Sequence, residues 1–140
     1  MKEVQPIRDT KKIDAVKAIM KGESNYRDLL LFVLGINTGL RISDILALKW
    51  SSFINGGGRL LKAGDQLNVV EIKTKKIKSF MLNRSVAEAL KLYHDSLANV
   101  NPDDPVFSSR KTDDGSLQPI TRIAAWQMLN RYANMVGLDD

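Results

Sequence analysis

The chain has 140 residues, no cysteine, a formal net charge of +5 and 44% hydrophobic residues. This length and apolar content are typical of one globular domain with its own core, and they exclude a disordered or disulfide-stapled chain. No apolar run reaches the ~20 residues of a membrane span and the N-terminus lacks the apolar segment of a signal peptide, so we expect a cytoplasmic protein. The basic charge favours a polyanionic partner.

Helical spacing of apolar residues dominates the first third of the chain. It predicts one helix over about residues 10–21 and a second, apolar on nearly every side, from Ser24 or Asn25 to about residue 37. A third is predicted over residues 42–48. Gly39 lies between the second and third helices, and glycine is the residue type that ends helices in the left-handed conformation. The pattern therefore predicts a helix-to-helix corner just after Gly39.

Extended patterns follow the glycine-rich stretch 55–58, which we interpret as a flexible connector. A phosphate-cradling role is rejected because no helix start and no Gly-Lys-Ser/Thr element come after it. Residues 67–72 and 77–82 are predicted to form antiparallel strands joined by a lysine-rich turn. The predicted fold class is α+β, mostly helical with a small antiparallel β-hairpin or three-stranded sheet.

Two more helices are predicted after the hairpin. One covers about residues 85–99, and the other is N-capped by Thr121 and ended by Gly137. A brief extended segment at 106–107 and a turn at 111–115 lie between them. The residues expected on the two buried helix faces are Val86, Ala89, Leu90, Tyr93 and Leu97, and Ala125, Trp126, Leu129, Tyr132, Ala133 and Val136.

Arg41 lies at the predicted corner, with core-forming residues on both sides of it. A guanidinium held at such a place has two possible roles. It closes a structural ion pair, with Asp44 or a backbone carbonyl, or it binds an anion such as a phosphate through its forked donors. Arg41 by itself does not separate the two.

Basic residues crowd around the predicted hairpin, whereas acidic pairs gather elsewhere, at 103–104, 113–114 and 139–140. Such segregation is typical of a protein with one nucleic-acid-facing side, although a solvated, charged turn is the plainer interpretation of any single lysine. A corner arginine and a hairpin lysine would suit the same phosphate. The residues predicted to face DNA are Lys73, Lys75, Lys76, Lys78 and Arg84.

Four segments resemble a known family. Residues 38–50, Thr-Gly-Leu-Arg-Ile-Ser-Asp-Ile-Leu-Ala-Leu-Lys-Trp, are similar to the first conserved box of the tyrosine recombinases, the phage integrase family. Residues 71–82, which begin Glu-Ile-Lys-Thr-Lys, resemble its β-hairpin with the catalytic lysine. Residues 106–107 and 121–138 resemble the approach to its second box. The resemblance extends from about residue 7 to the end of the sequence.

The resemblance implies a reaction and a role for each matched residue. In this family a tyrosine attacks a phosphodiester of double-stranded DNA to form a 3′-phosphotyrosyl link, and no metal or nucleotide cofactor takes part. Arg41 would neutralise the pentacoordinate phosphate, Lys73 would protonate the leaving 5′-oxygen, and Asp44 would support the site. Lys75 remains an alternative to Lys73, because two residues along an ideal strand it points to the same side.

The sequence also departs from the family pattern. The second box, His-x-x-Arg, and the tyrosine nucleophile would lie beyond residue 140, and we expect no core-binding domain before the matched region. His94 is interpreted as a rim residue, and Tyr26, Tyr93 and Tyr132 as core residues. We expect a single domain over residues 1–140, the N-terminal two-thirds of a catalytic domain. It should be inactive alone, and its uncovered C-terminal face should lead to self-association, to partial disorder or to binding of a partner.

Two other functions are compatible with the residues. One is a non-catalytic DNA-binding or regulatory module that keeps the family's fold and basic face. The other is a structural or protein-interaction domain whose lysines are merely solvated. The salt dependence of DNA binding separates this last class from the other two, because only phosphate contacts release counterions.

Overall fold

The computed structural model describes residues 10–111 and 117–137. Helices predominate in these ranges and the strands come in two short pairs, which confirms the predicted α+β class. No helix in them is long and apolar enough to cross a membrane. The elements are α1 Thr10–Gly22, α2 Tyr26–Thr38, α3 Ile42–Leu46, a 3₁₀ helix Trp50–Phe53, β1 Gln66–Val70, β2 Ile77–Met81, α4 Arg84–Ser96, β3 Ser108–Lys111, β4 Leu117–Pro119 and α5 Arg122–Met135.

Helix α2 is the centre of the fold. Seven consecutive residues, 28–34, are buried, so the helix contacts protein on every side, as the sequence predicts. It ends at Gly39, which has a φ of 67° and donates its N–H to the Gly35 carbonyl. Helix α4 packs against α2, and the side chain of Asn83 caps α4 by accepting the Val86 N–H at 2.9 Å.

The strands form two separate antiparallel pairs. Strand β1 pairs with β2 from Gln66↔Met81 to Val70↔Ile77, and β3 pairs with β4. A three-stranded sheet is therefore not observed in the described ranges. Most of the predicted turn at 111–115 lies outside the described residues.

The tyrosine side chains pack as predicted. Tyr93 is buried beside Trp50 and donates its O–H to the Val106 carbonyl at 2.7 Å. Tyr132 is 1% exposed, accepts a hydrogen bond from Asn25 and donates one to Glu23. Buried aromatic rings of this kind are stable because their polar ends find partners.

Two expectations about buried helix faces are wrong. Helix α4 ends at Ser96, so Leu97 lies beyond it and is 36% exposed. Trp126 is 62% exposed because α5 turns Ala125 and Tyr132 toward the core, and the residue after Ala125 lies ~100° further round the helix. Ile123, also exposed, is one turn before Trp126 on the same outer face.

Candidate functional site

The corner between α2 and α3 presents Arg41 to solvent. Gly39 turns the chain out of α2, and Arg41 follows in an extended conformation as the N-cap residue of α3. Its guanidinium is exposed and forms no hydrogen bond or ion pair with any residue in 10–111 or 117–137. The structural pairing with Asp44 or a backbone carbonyl is therefore not formed there. Five N–H donors remain available to an anion.

Asp44 connects this corner to the hairpin. The carboxylate is 3% exposed, and its Oδ1 accepts the Ile72 N–H at 2.9 Å. Its Oδ2 is buried and accepts no hydrogen bond from the described part of the chain. A carboxylate in a protein interior is costly unless it is hydrogen-bonded. The Ile72 contact therefore stabilises the buried Asp44 and joins the α2–α3 corner to the hairpin.

The lysines lie in a tight turn and not on the strand. The Glu71 N–H donates to the Lys76 carbonyl at 2.8 Å, and the Lys75 N–H donates to the Glu71 carbonyl at 2.9 Å. Strand β1 therefore ends at Val70, two residues earlier than predicted. Lys75 has a φ of 61°, in the left-handed region.

Lys73 and Lys75 differ in backbone conformation, because Lys75 has a positive φ. Both lie outside the strands, so the same-side relation of an ideal strand does not apply to them. Lys73 is exposed between Ile72, which is bound to Asp44, and Thr74, whose hydroxyl is bound to Glu71. The residues on both sides of Lys73 are thus fixed, and the same is true of Lys75, whose neighbours Thr74 and Lys76 are hydrogen-bonded within the turn. These contacts order the turn, and Lys75 remains an alternative to Lys73.

Glu71 is the residue that the sequence reasoning missed. It is 6% exposed, its Oε1 accepts the Thr74 hydroxyl at 3.0 Å, and its Oε2 lies 3.4 Å from Lys78 Nζ. The Thr74 hydrogen bond, followed by the charges of Lys78 and Arg41, lowers the pKa of the Glu71 carboxyl. The sequence signal for a buried Glu71 was the alternation of the strand, in which every second residue faces the core. Leu67 and Val69 follow this alternation, and Glu71 comes next in it.

The other predicted basic residues are divided between two places. Lys75 and Lys76 are exposed in the turn with Lys73, whereas Lys78 is engaged by Glu71. Arg84 begins α4, which follows the end of β2 that is farther from the turn. The two ends of a five-residue strand such as β2 are ~17 Å apart. The structure therefore brings the turn lysines together and leaves Arg84 apart from them.

His94 belongs to the aromatic cluster of α4. Its ring meets Trp50 edge-on with a centroid distance of 5.6 Å. No three His, Asp or Glu side chains of the described ranges are grouped as ligands for a metal ion.

The corner of the exposed Arg41 is joined to the hairpin turn that carries Lys73 by the hydrogen bond from the Ile72 N–H to Asp44. The resemblance to tyrosine recombinases implies that such a corner and such a turn belong to one site. The chain belongs to the phage integrase family, whose model matches residues 9–140.

Individual proteins agree with this assignment. The chain is 34% identical over 137 residues to the probable integrase/recombinase YoeC of Bacillus subtilis (strain 168), covering 98% of this chain and 67% of that protein. Its fold matches the crystal structure of XerA recombinase with a TM-score of 0.69 at 15% identity. The match covers this whole chain but 46% of the XerA chain, so the sequence spans less than half of that protein.

Proposed function

We propose that this chain is the part of a tyrosine recombinase catalytic domain that binds the scissile phosphate of double-stranded DNA. The complete reaction would cut and rejoin DNA at specific sites through a 3′-phosphotyrosyl intermediate, in the cytoplasm and without a metal or nucleotide cofactor. One observation carries the proposal: the Asp44–Ile72 hydrogen bond joins the corner of the exposed Arg41 to the turn of Lys73.

Each cation has a distinct task in this proposal. The planar Arg41 guanidinium donates two parallel hydrogen bonds to non-bridging phosphate oxygens and stabilises the charge that develops on them. The Lys73 ammonium is a point charge that carries a transferable proton, so it protonates the leaving 5′-oxygen. Lys75, Lys76 and the more distant Arg84 supply sequence-independent contacts to neighbouring phosphates.

The 140-residue chain alone is expected to bind DNA without cutting it. The hydroxyls of Tyr93 and Tyr132 are engaged in hydrogen bonds inside the fold, and burial raises the pKa of both phenols. Tyr26 is partly buried against the core. These three tyrosines therefore make poor nucleophiles, and without a nucleophile the covalent pathway is closed.

The experiment is a titration of duplex DNA by fluorescence anisotropy at several salt concentrations. The parent chain should lose affinity as salt rises, and Arg41→Ala or Lys73→Ala should each make the slope of log K against log salt shallower by ~0.9. Lys91→Ala is the control, since Lys91 lies on α4 in a surface pair with Asp95 at 2.9 Å and should leave the slope unchanged.

A flat slope for the parent would contradict the proposal and indicate a protein-interaction domain. A steep slope that neither Arg41→Ala nor Lys73→Ala changes would indicate DNA binding through another face.

A further inference from the structure

Glu71 occupies an unusual position for a carboxylate near a DNA-binding surface. It follows the buried residues Leu67 and Val69 in the alternation of β1, so its side chain lies on the inner side of the hairpin. A buried negative charge close to a proposed phosphate site opposes DNA binding by simple electrostatics. The contacts that Glu71 makes in this position indicate what offsets that cost.

The contacts of Glu71 lie within the hairpin, and the charge of Arg41 also acts on it from the corner. Its carboxylate accepts the hydroxyl of Thr74 and bridges to Lys78, and the Arg41 guanidinium is near enough to stabilise its ionised form. Its backbone closes the turn, because its N–H binds the Lys76 carbonyl and its carbonyl binds the Lys75 N–H. One residue thus contributes to both the backbone and the side-chain order of the turn.

Thr74 transmits the effect of the carboxylate to the turn. Its hydroxyl donates to Glu71 Oε1 at 3.0 Å and accepts the Lys76 N–H at 3.2 Å. Lys73 lies directly before Thr74, so a fixed Thr74 restricts the backbone from which the Lys73 ammonium extends. A lysine held in this way loses less conformational freedom when it meets a phosphate.

We propose that Glu71 is a positioning residue that holds the turn of Lys73 in the geometry required for phosphate contact. The inference rests on the proposed function for the role of Lys73 and adds the residue that orders it. The negative charge of Glu71 is tolerated because Thr74, Lys78 and Arg41 offset it.

A double-mutant cycle in DNA binding tests the inference. The variants are Glu71→Gln, Lys73→Ala and the pair of both. Glu88→Gln is the matched control: it makes the same change in net charge on α4, where Glu88 pairs with Lys21 at 2.7 Å. We expect Glu71→Gln to bind duplex DNA about threefold or more weakly than Glu88→Gln, and this loss to vanish when Lys73 is already alanine.

Amide hydrogen exchange supplies a second readout that needs no DNA. The amides of Ile72 and Lys75 should exchange faster in Glu71→Gln than in the parent, while core amides and the thermal unfolding midpoint stay nearly unchanged. Thr74→Ala keeps every charge and should give the same pattern with a smaller effect.

The outcomes separate the two ideas. Glu71→Gln binding as tightly as Glu88→Gln, or losing affinity equally with and without Lys73, would overturn the positioning role. If Lys73→Ala binds like the parent, the proposed function of Lys73 fails. Exchange at Ile72 and Lys75 then decides the role of Glu71, with unchanged rates counting against it and faster rates supporting it.

Discussion

Asp44 and Glu71 are two of the three buried charged side chains in the described ranges, the third being Asp28. Asp28 is stabilised by its neighbour Arg27 at 2.9 Å, whereas Asp44 and Glu71 lie where the arginine corner meets the lysine turn. Buried carboxylates are costly unless hydrogen-bond donors surround them. The donors to Asp44 and Glu71 belong to the hairpin turn, so the same hydrogen bonds stabilise the fold and fix the geometry of the site.

Substitution of Asp44 should be costly for stability. Asp44→Ala leaves the Ile72 N–H without its acceptor and should lower the free energy of unfolding by about 1–3 kcal/mol. Urea unfolding followed by circular dichroism measures the change. Asp95→Ala, which removes an exposed carboxylate from a surface pair, should cost less than about 1 kcal/mol. Equal costs for the two variants would argue against the connecting role of Asp44.

Among the elements, the helices were the most predictable part of the fold. Their ends are set by local chemistry that a sequence displays: Thr121 caps α5 through its own hydroxyl, and Gly39 ends α2. The hairpin turn was less predictable because it depends on Lys75 in the left-handed region, which lysine rarely adopts. The exposure of Trp126 depends on which face of α5 packs against the core. The sequence of α5 alone does not identify that face.

The corner before Arg41 should be sensitive to the backbone of Gly39. A Cβ atom at Gly39 would meet no atom of the described residues within 4 Å, yet the φ of 67° is unfavourable for any L-residue with a side chain. Gly39→Ala should therefore destabilise the protein by about 1 kcal/mol, from backbone strain alone.

Gly22 provides the matched control for Gly39. It ends α1, has the same free space around it and does not have a positive φ. Gly22→Ala should be neutral or stabilise the protein by about 0.5 kcal/mol. Thermal unfolding of both variants compares them, and a similar destabilisation in both would show that strain at Gly39 is not the cause.

At the scale of the whole molecule, apolar surface is unevenly distributed. The core joins α1, α2, α4 and α5, while α5 also exposes Ile123 at 69% and Trp126 at 62%. The exposed side of the hairpin carries a second apolar pair, Val70 and Ile77, which face each other across the strands. Such surface usually marks a contact with another molecule.

Self-association through α5 remains our prediction for the isolated chain. Trp126→Ser should weaken it about tenfold or more, because exposed tryptophans dominate the energetics of interfaces. Sedimentation velocity over a range of protein concentrations measures the effect. Ile77→Ser removes a comparably exposed apolar residue from the hairpin. A loss of association in Ile77→Ser and not in Trp126→Ser would assign the contact to the hairpin and contradict the role of α5. A parent chain that stays monomeric throughout the range would contradict the prediction.

The contact between Asp44 and the hairpin has a consequence for sequence variation. The donor is the backbone N–H of Ile72, so as far as this bond is concerned any residue except proline serves at position 72. Positions 44 and 72 therefore need not change together among relatives. A search for co-varying residue pairs would therefore miss the Asp44–Ile72 hydrogen bond. That bond can be present in every relative and still leave no co-variation between positions 44 and 72.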